Sequence, residues 1–235
     1  MGPRPGRRTL PEPVSPSVGW GVLHLFCRAR PGADGEAIAS AVKSAQADDH
    51  QVVAFAVLGH KADIGFMVLG PDLWRLQQLQ ADLRAAGLEA VDSYVSMTEV
   101  SEYAQGLPPE MLEARLHPKL PPDGKRALCF YPMSKKREGD ANWFSLPYDR
   151  RKELMLGHGK KGREYAGRIL QLITGSTGLD DFEWGVTLFA TDPADLKAVV
   201  YEMRFDEASA IYAEFGPFVT GLVDDIDEVL RRVGL

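Results

Sequence analysis

Two side chains in the C-terminal half of this chain are of types that could do chemistry together. They are His158 in Leu156-Gly157-His158-Gly159 and Tyr131 in Cys129-Phe130-Tyr131-Pro132-Met133-Ser134-Lys135. Glycines on both sides leave the imidazole uncrowded, and neutral imidazole is the commonest protein ligand for transition metals, a porphyrin iron included. A phenol can enter redox chemistry that a phenylalanine cannot. Taken alone, each has a plainer reading: a lone histidine is more often a surface or structural group, and a tyrosine before proline commonly ends a strand. No second histidine at short spacing makes a zinc site, and no Cys-x-x-Cys-His run tethers a haem covalently. Any haem here is therefore held noncovalently and must be able to leave.

The elements that must position these residues are written twice along the chain. In the first half the patterning predicts a strand at 19–28, a helix at 34–47, strands at 51–58 and 63–69, a helix at 71–86 and a strand at 90–97. In the first strand Val22, His24 and Phe26 share one face and Leu23, Leu25 and Cys27 the other, as expected of a strand covered on both sides. The second half predicts a strand at 126–132, a loop at 134–147, a helix at 148–163, strands at 166–174 and 182–190, helical segments at 193–214 and a strand at 217–224. Ile64-Gly65-Phe66-Met67-Val68-Leu69-Gly70-Pro71-Asp72 is echoed by Trp184-Gly185-Val186-Thr187-Leu188-Phe189-Ala190-Thr191-Asp192-Pro193, each an apolar strand running into a Pro/Asp helix start. Two βαββαβ units imply an α+β fold of tandem ferredoxin-like halves whose open sheet faces pack together. The expected division is a flexible Pro- and Arg-rich tail at 1–17, one half at 18–116 and a second at 117–235, with 98–125 as the link. Alternation puts Ile169, Gln171 and Ile173 on one side of a strand, an amide between β-branched residues.

Longer stretches carry more information than either residue. They include Tyr131-Pro132-Met133-Ser134-Lys135, Asn142-Trp143, and Leu154-Met155 through His158-Gly159 to Gly162-Arg163. They continue with Thr174-Gly175-Ser176-Thr177-Gly178-Leu179-Asp180-Asp181, Glu183-Trp184-Gly185-Val186, Met203-Arg204-Phe205-Asp206-Glu207-Ala208-Ser209 and Phe215-Gly216-Pro217-Phe218. In these the chain resembles the actinobacterial coproheme decarboxylases of the chlorite dismutase-like haem protein superfamily, densely over 117–221 and more loosely over 18–116. The resemblance implies a dimeric α+β barrel. It implies iron-coproporphyrin III (coproheme) as substrate and redox cofactor at once, hydrogen peroxide as oxidant and haem b as product.

His158 is then the implied axial ligand. Tyr131 is the implied reactive residue, a tyrosyl radical taking a hydrogen atom from a propionate β-carbon before carbon dioxide leaves and a vinyl group remains. Lys135, Arg163, Tyr94, Ser96 and Ser209 are the implied propionate donors, since carboxylates favour charged and bidentate partners. Met133 is placed at the porphyrin edge or in the core, and Trp143 at the pocket wall or beside a propionate. Phe144 stands where the family commonly has tyrosine, so no phenolic role transfers there. His117 is the implied distal base, an imidazole being the side chain type suited to deprotonate peroxide at neutral pH. His24, His50 and His60 fall outside the matching pocket stretches and read as structural or exposed. Gln171 occupies the place where chlorite-degrading relatives carry a distal arginine; a neutral amide holds an oxyanion less well than a guanidinium, which disfavours chlorite dismutation.

Composition bounds the remaining choices. A net charge of −6 argues against nonspecific binding to nucleic acid or an anionic membrane. No apolar run approaches the roughly 18–20 residues of a membrane span, and no signal-peptide block follows the basic start. Cys27 and Cys129, far apart in apolar segments, suit buried free thiols of a reducing compartment, so a cytoplasmic location is expected. The expected function is peroxide-dependent decarboxylation of coproheme in haem biosynthesis. Chlorite dismutase and a haem-binding or delivery protein without decarboxylase activity are the alternatives. The resemblance further implies a homopentamer and contact with a ferrochelatase.

Overall fold

β1 (Gly21–Ala29) is apolar on both faces because both are covered. Leu23, Leu25 and Cys27 pack under α1 (Gly35–Ala47) and α2 (Leu73–Ala85), while Val22 and Phe26 point into a second core on the other side. The computed structural model describes residues 12–104 and 106–235. β2 (Gln51–Val57), β3 (Ile64–Gly70) and β4 (Leu88–Thr98) complete the first unit. After α3 (Pro109–Leu116) come β5 (Ala127–Lys135), two short 3₁₀ turns, α4 (Tyr148–Arg163), β6 (Ile169–Gly175), β7 (Trp184–Ala190), α5 (Pro193–Met203), α6 (Glu207–Ala210), β8 (Ala213–Phe215), β9 (Val219–Asp224) and α7 (Ile226–Val233). The strand-to-helix echo is real at the atomic level. Asp72 accepts from the Trp74 N–H to cap α2, and Asp192 accepts from the Ala194 N–H to cap α5.

Among the described residues nine strands run in the order β7-β6-β4-β1-β3-β2-β9-β5-β8, and an added β5–β7 pairing closes eight of them into a ring. The halves are sewn together at two seams, β2 with β9 and β4 with β6. Phe26, Phe55, Tyr94, Leu128, Phe130 and Phe189 fill the interior between the halves, and the helices cover the outside. Both cysteines are free and buried.

Three expectations are revised. α3 and α7 were not predicted, and Ile226, Val229 and Leu230 of α7 pack into the core under α1 and α2. The last helix of the chain therefore completes the first half, which a division at residue 117 does not respect. Of the proposed tail, residues 1–11 lie outside the described residues. Within 12–17 the backbone is anchored at Val14, whose N–H donates to Asp72 Oδ1 (3.1 Å) and whose carbonyl accepts from the Leu73 N–H (2.9 Å).

Candidate functional site

α4 starts behind Pro147, whose missing N–H is no loss at a helix start, and runs past three glycines to Arg163. It packs against α5 and α6, and α5 in turn lies on β5 and β7. This layering sets His158 beside the turn that joins α5 to α6. His158 Nδ1 lies 2.9 Å from Asp206 Oδ2, with Ser209 Oγ at 3.5 Å. Asp206 is the residue before α6, but its carboxylate caps nothing and is buried against the imidazole.

Burial lowers the His158 pKa, and the Asp206 carboxylate opposes that shift. A neutral ring donating Nδ1–H to a carboxylate keeps its lone pair on Nε2, which is the arrangement that orients a metal-ligating histidine and raises its basicity. Among the described residues no group of three or more His, Cys, Asp or Glu could hold a bare metal ion. One histidine and a flat apolar wall fit an iron that brings its own four nitrogens.

The wall is the helix-facing side of the C-terminal sheet. Register places Tyr131 opposite Val186 and Val186 opposite Ile173, and in the next row Cys129 opposite Leu188 and Leu188 opposite Gln171. Tyr131, Val186 and Leu188 are buried with α5 over them. Gln171 is exposed, and Ile173 is 43% exposed although it shares their face. The layer of helices thus leaves a strip open at Ile173 and Gln171. The Tyr131 ring stacks on Phe218 (centroids 4.5 Å apart) and meets Phe215 edge-on (5.7 Å). Burial pushes its phenol well above the ordinary range, so it stays protonated at any physiological pH.

The remaining expected residues divide by where their side chains are engaged. Met133 joins the Tyr131 cluster. Arg163 is exposed on the last turn of α4, and a Cβ added at Gly159 would lie 3.6 Å from its Nη1. Ser209 is buried next to His158. Trp143 is 2% exposed and packs against Tyr212 in a cluster with Leu154 and Ala208. Lys135 is 7% exposed: its Nζ donates to the Ala208 carbonyl (2.7 Å) and lies 4.4 Å from the Trp143 ring centroid. It is not the free carboxylate donor that the resemblance implies, and burial brings its ammonium pKa down to about 8.

Tyr94 and Ser96 are not brought to this face at all. β4 pairs with β1 so that Tyr94 lies opposite His24 and Ser96 opposite Val22, which turns both into the barrel interior. There Tyr94 OH bonds Ser176 and the Phe182 carbonyl, and Ser96 Oγ donates to Thr174 Oγ1 (2.8 Å). They tie β4 to the second half. His117 ends α3, with Nδ1 2.7 Å from Glu113 Oε1 and its ring edge-on to Trp20 (4.9 Å). Asp206 was missed as a site residue. Only its place in the stretch Met203–Ser209 pointed to it, because its partner lies 48 residues away.

A family model described as chlorite dismutase matches residues 33–223. A haem-binding protein from Thermus thermophilus is 38% identical with a TM-score of 0.84, covering 97% of this chain and 100% of its own. A mutant chlorite dismutase from Candidatus Nitrospira defluvii is 19% identical with a TM-score of 0.74, covering 94% of this chain and 98% of its own. The protein from the same organism in complex with imidazole is 20% identical with a TM-score of 0.73, covering 94% and 97%. At these lower identities the likeness shows the fold.

Proposed function

Because the chain belongs to the chlorite dismutase family, we propose that it binds iron-coproporphyrin III and uses hydrogen peroxide to convert two propionates to vinyl groups, giving haem b. The observation that best supports this is a protonated, buried Tyr131 on the same sheet face as the open strip, in a chain whose α4 carries a histidine backed by Asp206. A bound porphyrin iron supplies the site that reduces peroxide by two electrons. His158 would hold that iron through Nε2 while Asp206 fixes the ring.

Tyr131, being protonated, must give up its electron and proton together; it regains a hydrogen atom from the propionate β-carbon. Each round takes one propionate, one peroxide and one proton to one vinyl group, carbon dioxide and two waters. His117, with Glu113 on Nδ1, has Nε2 left to take the peroxide proton. Arg163 on the last turn of α4 and Arg204, just past α5 with its guanidinium over Tyr201, are exposed cations that would be available to propionate carboxylates. Gln171 offers a neutral amide at the open strip.

The test is to add peroxide to the coproheme complex and weigh the porphyrin. Loss of carbon dioxide and two hydrogens from each of two propionates supports decarboxylation. An unchanged porphyrin supports haem binding alone, the reading favoured by the name of the 38% identical relative.

A further inference from the structure

The resemblance gives Lys135 to a propionate, yet the side chain is turned inward and held. Its ammonium has one hydrogen on the Ala208 carbonyl at 2.7 Å and sits 4.4 Å above the centre of the Trp143 indole. Both residues are buried, at 7% and 2% exposure. Burying a cation costs stability, offset here by the Ala208 carbonyl, the indole face and the Asp206 and Glu183 carboxylates. Trp143 packs on Leu154, one helical turn before His158, and on Ala208 beside Ser209, so it borders the proposed iron site.

An indole gives up an electron about as readily as a phenol, so Trp143 competes with Tyr131 for any oxidising equivalent made there. We propose that Lys135 is a positioning residue that withholds Trp143 from oxidation, leaving Tyr131 as the residue oxidised. The inference rests on the peroxide-dependent reading above. A positive charge over the π face, present at neutral pH, favours the neutral ring and opposes a ring that has lost an electron. At 4.4 Å and an effective dielectric of about 20, the ammonium by itself biases the oxidation equilibrium by roughly two to three orders of magnitude, a bias that the Asp206 and Glu183 carboxylates acting on Lys135 reduce.

Without the charge, the indole loses two electrons and two protons and takes up one water oxygen, giving hydroxytryptophan. The electrons and protons reduce one hydrogen peroxide to two waters.

Lys135→Gln keeps a donor for the Ala208 carbonyl and removes the charge, whereas Lys135→Arg keeps the charge; Lys135→Met is a second charge-free variant should glutamine not fold. Hydroxytryptophan at position 143 is measured by peptide mass spectrometry against Trp74, which is 45% exposed on α2 and serves as internal standard. One arm treats the coproheme complex with hydrogen peroxide. The other exposes ligand-free protein to azide radical, a one-electron oxidant that needs no iron; two azide radicals take the two electrons and become azide ions, and the two protons go to solvent. In both arms the charge-free variants should show a Trp143 to Trp74 ratio at least about tenfold above wild type and Lys135→Arg. Equal ratios in the azide arm overturn the proposal. If the loaded wild type consumes no peroxide, the peroxide-dependent reading fails, and the azide arm still decides what the charge does.

Discussion

Replacing Asp206 by asparagine or alanine challenges the proposed iron site at its most quantitative point. The carboxylate lies 2.9 Å from His158 Nδ1, is almost wholly buried and makes no capping bond, so its side chain serves the imidazole. Removing such a partner from a metal-ligating histidine costs roughly 10- to 100-fold in affinity, or about 1.4–2.7 kcal/mol. Asparagine keeps a neutral acceptor at nearly the same volume and should fall near the lower end. Alanine removes it, and Ser209 Oγ at 3.5 Å is too far to take over, so it should fall near the upper end.

The pH dependence has a definite sign. Asp206 favours the protonated imidazole, so its loss moves the His158 pKa further down. Acid then competes with iron less, and the fall in porphyrin affinity on acidification should begin at lower pH in the variants. At neutral pH their weaker binding therefore reflects a poorer ligand and not a protonated one. Absorbance titrations with coproheme from about pH 5 to 8, with the iron–histidine stretch read by resonance Raman, measure both effects. Unchanged affinity and an unchanged stretch in Asp206→Ala would refute the assignment of His158 Nε2 to iron.

Tyr131→Phe keeps the ring that stacks on Phe218, so folding and coproheme binding should survive while no vinyl product forms; haem b at close to the wild-type rate would sink the tyrosyl step. Gln171 should leave the protein a poor chlorite degrader, so sustained oxygen release from chlorite would overturn that choice, and Gln171→Arg should alter anion binding more than porphyrin affinity. His24 predicts acid sensitivity. It is wholly buried with Nε2 3.0 Å from Thr187 Oγ1 and no partner on Nδ1, and desolvation takes its pKa down to about 3. The unfolded chain takes up this proton below about pH 6.5 and the folded chain does not, so stability held above that pH is lost as pH falls from about 6.5 toward 3. At pH 4.5 the loss amounts to about 2–3 kcal/mol. Urea unfolding of His24→Leu should show that much less decline between pH 7 and 4.5, and parallel curves for the two proteins would contradict the argument.

What the sequence determined by itself is local and periodic. α4 begins and ends where the pattern places it, at 148 and 163, because a proline start and helical spacing are properties of neighbouring residues. The two strand-to-helix turns capped by Asp72 and Asp192 were visible for the same reason, and they revealed the doubled architecture. α7 was missed although Ile226, Val229, Leu230 and Val233 recur at helical spacing behind an Asp225 cap; what the fold alone shows is that this face closes the core under α1 and α2. Tertiary structure alone decided which face of β4 carries Tyr94 and Ser96, since the register with β1 turns them inward. It alone joined His158 to Asp206 across 48 residues and drew Lys135 onto the Ala208 carbonyl across 73. Local sequence fixes backbone preference over one or two turns. Which buried donor meets which acceptor is settled only when separate elements pack, because a desolvated polar group must take the partner that packing leaves within reach.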